Sequence, residues 1–581
     1  MENRDIARTL RQTADLLEVA GEDSFRIRSY RRVADAVDSC AEPLSGMCAE
    51  PKRLLGLAGV GKTMAGHIVE LVSSGEMKLH RELLERFRPG MLELLQVSGL
   101  GPKTVALIWQ CYGAGTLDEV EALGREGKLR ELPRMGAKAE QKILRGIASR
   151  RQMSGRFRRD QIEESLELLR PLVEKAPGVE RWAAAGSWRR GRDTVGDLDL
   201  LAAGEGFPAA AGPVIERFLR APRLEEILVQ GGNKVSIRLH DGLQVDLRLL
   251  PLSSFGAAWQ YFTGSQQHNI ALRARAQQQG AKLNEYGLYR ESDGAVLAGA
   301  EEEDVYAALE LDWIPPELRE AAGELEAAAT HALPHLIEAS EIRGDVHMHT
   351  TASDGRASIL EMAAAAAARG YRYIAITDHS QALAMANGLD ETRMLEHLGH
   401  IRAAEREFEA SHPGFRIFAG VEVDILADGR LDLADEVLAQ LDVVIGSIHS
   451  RFDQSQEETS ARLLRAIANP NLDIVGHPSG RLLLRREPYA YDFERVLAAC
   501  RERGVAVEIN ASPERLDLNG EQARRCRQQG VSVVISTDAH HPRQLDNMSH
   551  GLVTARRGWL EAGNVLNTLG PEQFRAGLRK P

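Results

Sequence analysis

Cysteine is scarce in this chain: five residues in 581 (Cys40, Cys48, Cys111, Cys500 and Cys526), with no CxxC pair among them. Such sparse thiols exclude a disulfide framework, argue against thiolate metal sites and fit a reducing compartment. Long apolar runs are missing too. None approaches the roughly 18 to 20 residues of a membrane-spanning helix. The first twenty residues mix acids and bases where a secretory leader would have a basic start and an apolar middle. The expectation is a cytoplasmic protein without a membrane partner. With 43% hydrophobic and 27% charged residues, a largely disordered, collagen-like or membrane-bundle chain is excluded, and the length calls for several domains.

Charge and histidine are unevenly placed. The net charge is −12, yet residues 1–160 hold 27 Lys and Arg against 22 Asp and Glu, and Lys142 to Arg159 contains seven bases and no acid before Asp160. Local field decides whether nucleic acid binds, so an acidic total does not exclude it. Of 17 histidines, 11 follow residue 340.

Up to about residue 150, apolar residues three or four apart predict short helices over 6–19, 29–37, 64–72, 81–87, 104–111 and 140–147. Between them a turn recurs: Gly59-Val60-Gly61-Lys62, Gly99-Leu100-Gly101-Pro102-Lys103 and the looser Arg134-Met135-Gly136-Ala137-Lys138. Glycines there allow successive backbone N–H groups at the next helix start to face one anion, so two turns can grip two backbone phosphates without reading bases. A lysine directly after each turn separates this reading from plain helix capping. These turns resemble the helix-hairpin-helix motifs of DNA repair proteins.

From about 182 the period approaches two, with strands expected over 182–185, 198–201, 235–239 and 243–249. Gly186-Ser187-Trp188-Arg189-Arg190-Gly191 is followed by Gly196-Asp197-Leu198-Asp199-Leu200. On a strand Asp197 and Asp199 share a face while Leu198 and Leu200 enter a core. Asp246 stands between Val245 and Leu247 in the same way. Three converging carboxylates repel one another, and divalent metals relieve the repulsion. Two metals about 3.5–4 Å apart suit phosphoryl transfer. Gly186 and Ser187 then offer a small turn and a hydroxyl to terminal phosphates, with Arg190 as a bidentate clamp.

Here the chain resembles the family X DNA polymerases, on the GSxRR and GDxD motifs, the Asp246 strand, and Tyr261-Phe262-Thr263-Gly264-Ser265 with Asn269 and Arg273 beyond. The resemblance covers roughly residues 1–320. It implies that Asp197, Asp199 and Asp246 hold two Mg²⁺ or Mn²⁺ ions, Asp246 lying near the primer 3′-hydroxyl. Ser187, Arg190, Gly196 and Gly264 would meet the nucleotide, Tyr261 and Phe262 its sugar, Asn269 the base minor-groove edge and Arg273 the template. Gly59, Gly61, Lys62, Gly99, Gly101 and Lys103 would contact DNA. One departure is His67, which stands where family members that remove a 5′-deoxyribose phosphate carry an imine-forming lysine; imidazole cannot form that imine.

A Glu- and Ala-rich run up to Ser340, after Trp313-Ile314-Pro315-Pro316, reads as a helical linker. Beyond it short apolar strands (373–377, 443–447, 474–475, 505–509, 533–536) alternate with helices, suggesting a parallel βα barrel. Asp345-Val346-His347-Met348-His349 places two imidazoles on one strand face, a spacing suited to one metal. Asp354 follows shortly in Ser353-Asp354-Gly355, and ligand types then recur at the ends of successive strands: His379, Glu422, His449, His477, Asp538 and His540. His397, His400, His412, His541 and His550 lack that placement and read as surface residues.

This segment resembles the PHP (polymerase and histidinol phosphatase) domain. The resemblance implies a distorted (β/α)7 barrel in which His347, His349, Asp354, His379, Glu422, His449, His477, Asp538 and His540 hold up to three Mn²⁺ or Zn²⁺ ions for phosphoester hydrolysis. The joint arrangement resembles the bacterial family X polymerases with a C-terminal PHP domain (PolX). It implies helical helix-hairpin-helix domains over 1–85 and 86–155, an α/β palm over 156–250, a thumb over 251–318, a linker over 319–340 and the barrel over 341–581. The expected activity is short-gap filling in DNA repair with 3′→5′ exonuclease, by a monomer near the nucleoid, acting on gapped or primer-template DNA and dNTPs. Its rivals are a repair scaffold with decayed centres and a PHP phosphoesterase with an inactive polymerase. With the two sites in different segments, removing 341–581 is expected to spare primer extension unless the barrel also helps position DNA.

Overall fold

The structure, a computed structural model, describes residues 3–578 apart from 39, 41–43, 49, 50, 58, 89, 98, 134 and 154. The chain divides into two compact units, Met1–Ser154 and Gly155–Pro581.

The first unit is helical wherever the apolar period is 3.6. Helices Asn3–Val19, Ser24–Asp38, Lys62–Ser74, Lys78–Phe87, Pro102–Tyr112 and Ala137–Met153 cover all six expected segments. Their apolar faces, with Leu10, Tyr30, Ile68, Phe87, Ile108 and Ile143, meet in one core. A further helix, Leu117–Arg125, opens on a capping box: Thr116 Oγ1 accepts from the Glu119 N–H, and Glu119 Oε2 accepts from the Thr116 N–H. Of the loose third turn, Arg134 lies outside the described residues, and Met135 to Lys138 lead into the last helix.

The second unit begins with a five-stranded sheet in the order Arg181–Ala184, Asp197–Ala203, Gln244–Leu250, Lys234–Leu239, Leu224–Gln230. Four strands lie where the period-two pattern put them. The fifth escaped because it is an edge strand with no buried face; its Ile227 and Val229 are exposed. Leu198, Leu200, Val245 and Leu247 pack beneath the sheet with residues of helices Arg159–Glu174 and Gly212–Phe218. Helix Phe255–Thr263 covers the opposite face through Phe255 and Ala258, against Leu201 and Ala203. Helix Gln266–Gln278 and an antiparallel sheet of Ala281–Asn284, Gly287–Arg290 and Val296–Ala298 follow.

The segment after Pro316 is not a helical linker. Only Glu324–Ala329 is α-helical, and its neighbours are anchored. Arg319 is fully buried and donates to Glu302 Oε1 at 2.6 Å. Glu302 also accepts from both terminal nitrogens of Arg189 (2.8 and 2.7 Å) and from Trp313 Nε1 (2.9 Å). Burial alone would raise the Glu302 carboxyl, but Arg319 and Arg189 hold it down to about 2. Glu324 takes His268 Nδ1 at 2.7 Å. A composition rich in Glu and Ala looks solvated in sequence; here two of its charges complete buried networks.

The remainder is a seven-stranded parallel sheet in sequential order: Gly344–Asp345, Tyr373–Ile376, Arg416–Asp424, Val443–Ser447, Ile474–Val475, Ala506–Asn510 and Val533–Ser536. A parallel bridge between Met348 and Ala539, with His349 N–H donating to Ala539 O at 2.8 Å, nearly closes it into a barrel. His347 and His349 follow the short first strand in this bridged stretch. The helices cover the outside, and Phe574 of the last helix, Pro571–Gly577, packs with Tyr373, Ile445 and Val534. Residues 155–581 form one compact unit, so the barrel is not a tethered appendage to the preceding sheet.

Candidate active sites

In the first unit both expected turns have the conformation their glycines permit. Gly59 and Gly99 sit at φ +78° and +95°, where a side chain is strained. Val60 and Leu100 are buried beneath. Gly61 and Gly101 are the N-caps of Lys62–Ser74 and Pro102–Tyr112, neither helix having a side-chain cap, and Lys62 and Lys103 are exposed beside them. Among the described residues the free N–H groups at the start of both helices thus receive no side-chain cap, which suits an anion. His67 lies instead in a cleft of ≈ 620 Å³ with Arg26, Tyr30, Thr63, Glu70 and Lys78. Tyr30 Oη is 2.9 Å from its Nδ1, and burial lowers its pKa. Lys78, which the sequence reading passed over, is the lysine lining this cleft.

In the second unit the turn at 186–191, strand Asp197–Ala203 and helices Phe255–Thr263 and Gln266–Gln278 frame a second cleft of ≈ 440 Å³, which Asp246 does not line. Its lining brings together Gly186, Ser187, Arg190, Asp197, Asp199, Tyr261, Phe262, Gly264, Asn269 and Arg273, with Thr263 and Gln266 in addition. Gly196 precedes the aspartate strand and does not line it. Asp199 and Asp246 are register partners on parallel strands. Burial, with Asp197 and Asp246 nearby, raises Asp199 to about 7 although Arg248 and Lys234 oppose the shift, as crowding of carboxylates requires. Gly186, at φ +66°, tolerates no Cβ, which would fall 2.6 Å from Asp199 Oδ2.

Asp246 answers part of that crowding from within. Lys234 Nζ lies 2.7 Å from its Oδ2, and Gln244 Nε2 donates to Oδ1 at 3.1 Å. Burial would raise it, but these hydrogen bonds hold it below the usual carboxylate range. Lys234, at the start of its strand, carried no motif and was missed. Asn269 is buried: Gln260 Nε2 donates to its Oδ1 and its Nδ2 donates to Tyr261 O, at 2.8 and 2.7 Å. Its amide is therefore engaged by protein. The Tyr261 and Phe262 rings meet edge to face at 5.2 Å, with the Arg248 guanidinium 4.0 Å from the Phe262 centroid.

At the barrel mouth all nine expected ligand residues fall in one connected cluster. Glu422 is its centre, with imidazole nitrogens of His379 and His477 at 2.8 Å, His449 at 3.3 Å, His347 at 3.4 Å and His349 at 3.6 Å. Asp538 Oδ1 is 3.1 Å from His349 Nε2, and Asp354 Oδ1 is 3.4 Å from His540 Nε2. Three sets each place their ligand atoms within 4.8 Å of one another: His349, Asp354, His379 and His540; His347, His349 and Glu422; His379, Glu422 and His449. Burial would raise Glu422, but its imidazole neighbours hold it well below the carboxylate range. His347 Nε2, His349 Nδ1, His379 Nδ1, His449 Nδ1, His477 Nδ1 and Glu422 Oε2 are buried without a hydrogen bond. Lone pairs so placed are costly unless something electropositive meets them, and the mixed nitrogen and oxygen donors suit divalent ions.

Carboxylates behind this cluster were missed. Glu508 Oε1 takes His347 Nδ1 at 2.6 Å and Ser536 Oγ at 3.0 Å, orienting the ring. Asp378 accepts from Thr350 and Ser353 and pairs with His397 Nε2 at 2.8 Å. Glu508 between Val507 and Ile509 was legible as an acid on the inward phase of an apolar strand. His397 and His550, expected at the surface, are buried at 5% and 6% exposure. His397 supports Asp378, and His550 Nε2 lies 3.6 Å from Glu163. Neither sits at a strand end, which is why position alone misplaced them.

Two centres in one chain, one of carboxylates beside a cleft and one of imidazoles and carboxylates at the barrel's strand ends, carry the donor sets of a metal-dependent phosphoryl-transfer enzyme. Family profiles match along the chain: a helix-hairpin-helix domain over 1–77, a SAM-like helix-hairpin-helix tandem over 91–149, a DNA polymerase beta thumb over 258–320 and a PHP domain over 345–512. A DNA polymerase/3′-5′ exonuclease PolX of Bacillus subtilis (strain 168) is 37% identical over 585 aligned residues, covering 100% of both chains. A probable phosphatase of Caldanaerobacter subterraneus is 35% identical over 207 residues, 34% of this chain and 75% of its own. A probable phosphatase of Thermoanaerobacter sp. is 31% identical over 235 residues, 39% and 89% respectively. The chain belongs to the bacterial family X DNA polymerases that carry a PHP domain. No helix among the described residues is long and apolar enough to cross a membrane.

Proposed function

We propose that this protein is a DNA-directed DNA polymerase that fills short gaps during repair, and that its PHP barrel is a 3′→5′ exonuclease. The observation that carries the polymerase reading is the register pairing of Asp199 with Asp246 beside a cleft lined by Ser187 and Arg190. Residues 156–250 act as palm and 251–318 as thumb, behind helix-hairpin-helix domains over 1–85 and 86–155. Asp197, Asp199 and Asp246 would hold two Mg²⁺ or Mn²⁺ ions; the nine barrel ligands would hold up to three Mn²⁺ or Zn²⁺. When bound, such ions neutralise charge on the reacting phosphate and acidify the attacking oxygen.

The remaining roles belong to the chain. Ser187 and the backbone at Gly186 receive the terminal phosphates and Arg190 clamps them; Tyr261 and Phe262 lie against the sugar. Asn269 reaches the base edge by exchanging a protein hydrogen bond for one to the nucleotide, and Arg273 meets the template. Asp246 orients the 3′-hydroxyl, and Lys234 must leave Oδ2 as the site fills. Gly59, Gly61, Lys62, Gly99, Gly101 and Lys103 hold the DNA backbone without reading sequence. The protein works as a cytoplasmic, nucleoid-associated monomer.

Gapped duplex with one labelled dNTP and Mn²⁺ tests the reading. Wild type extends the primer, and Asp246→Ala extends it about 10²-fold more slowly or worse, as expected when a two-metal centre loses a ligand, while still shortening 3′ ends. Extension by Asp246→Ala above a tenth of the wild-type rate would overturn the assignment.

A further inference from the structure

The barrel meets the turn that borders the nucleotide cleft, with Arg557 making the polar contact. Helix Met548–Arg557 ends against the 186–191 turn, where Arg557 Nη1 donates to the Arg190 main-chain oxygen at 2.8 Å and lies 3.2 Å from Glu320 Oε1. The same Glu320 oxygen takes Arg190 Nε at 3.2 Å, and Arg190 Nη1 donates to Thr263 O at 2.5 Å. Arg190 thus has its backbone and two of its three guanidinium nitrogens fixed; Nη2 has no protein partner among the described residues, and the side chain borders the cleft. Side-chain exposure is 14% for Arg190 and 12% for Arg557, so little water screens the group.

The backbone is shaped around this contact. Gly191, at φ +72°, could carry no Cβ, which would lie 2.3 Å from Val553 Cγ1 and 3.4 Å from Arg557 Cδ. On the other side a Cβ on Gly520 would fall 2.8 Å from that of Arg557. Burial would raise Glu320, yet Arg190, Arg557 and the more distant Arg192, whose Nη1 is 3.7 Å from Oε1, keep it below the usual carboxylate range, so one carboxylate is shared by three guanidinium groups. Were Arg557 absent, Glu320 would answer Arg190 and Arg192 only, and the Arg190 carbonyl would lose the donor it has in Arg557.

We propose that Arg557 of the barrel is a positioning residue for nucleotide addition: it holds the Arg190 main chain and, by sharing Glu320, keeps the Arg190 guanidinium aimed at the incoming triphosphate. This rests on the reading of Arg190 as the triphosphate clamp. It makes the polymerase site incomplete without the barrel, although no barrel residue touches the nucleotide.

The test is steady-state primer extension with the full-length protein, alongside 3′→5′ digestion. Arg557→Ala should raise KM for dNTP about tenfold, the size expected when a hydrogen bond to a charged group is lost, with kcat and digestion within about twofold of wild type. Arg557→Lys, which keeps the charge but not the guanidinium fork, should fall between. Glu320→Ala should raise KM as well, and the double variant should be no worse than the worse single one, because both act through one group. An unchanged KM in Arg557→Ala, or a parallel loss of kcat and digestion, overturns the proposal. Arg190→Ala separates the two layers. If it raises KM while Arg557→Ala does not, the clamp reading stands and the coupling is refuted; if it leaves KM unchanged, the clamp reading fails and takes this inference with it.

Discussion

Trp559 belongs to the barrel, yet its indole is 7% exposed in the same apolar cluster as Leu311, Ile314, Leu318 and Leu336, which precede the barrel in sequence. Replacing a buried aromatic of this kind by alanine costs about 3–5 kcal/mol. Cutting the chain after residue 340 removes more. Arg556 leaves Glu317 (2.7 Å), Arg557 leaves Glu320, Arg481 leaves Asp193 (2.8 Å), and Ile337 N–H loses Leu560 O at 3.0 Å. Partly exposed pairs are worth little singly, about 0–1 kcal/mol each, so the tryptophan dominates. Against a net stability of about 5–15 kcal/mol, that loss leaves the palm and thumb marginal. Trp559→Ala should lower the melting temperature of the full chain by several degrees, and a 1–340 fragment should melt lower still and extend primers poorly at physiological temperature. Thermal melts followed by extension assays on the same samples provide the measurement. A 1–340 fragment that melts within a few degrees of the full chain and extends at its rate would refute the reasoning and restore the separability read from the sequence.

His349→Ala removes a ring in contact with Glu422 and Asp538, so 3′-end digestion should fall by about 10²-fold, with partial recovery at higher Mn²⁺ and primer extension intact; unchanged digestion would return the barrel to a structural or phosphatase role. Borohydride should trap little covalent DNA adduct, since His67 cannot form an imine; an efficient adduct that Lys78→Ala abolishes would show that the cleft's own lysine has taken the task. His550 is held down to about 4 by burial and by Arg159, so the native state refuses a proton that the unfolded chain accepts below about pH 6.5. Stability should therefore fall as pH drops from about 6.5 to about 4, by on the order of 3 kcal/mol for this group. Urea midpoints at about pH 7.5 and about pH 5 should differ less in His550→Leu than in wild type, and equal differences would refute the assignment.

Much of this protein could be read without coordinates because its chemistry is written in short local spacings. Asp197 and Asp199 two apart on a strand, His347 and His349 two apart, and Gly-apolar-Gly before a helix each carry their geometry in the covalent chain, and the periods 3.6 and 2 placed the elements that hold them. Tertiary structure decided what no local pattern encodes. Glu302, Arg319 and Glu324 look like solvated surface charges until Arg189, Glu302 and His268, which lie 113, 17 and 56 residues away, meet them in the interior; Lys234 becomes a counter-ion only because its strand pairs with that of Asp246. His397 and His550 are buried through packing, not through motif. Arg557 meets Arg190 across 367 residues of chain, and that contact exists because the turn is glycine at position 191, where Val553 and Arg557 of a barrel helix pack against it. Local spacing determines which groups can act together on one element; only the packing of distant elements determines which charges lose water, and so which are held in place.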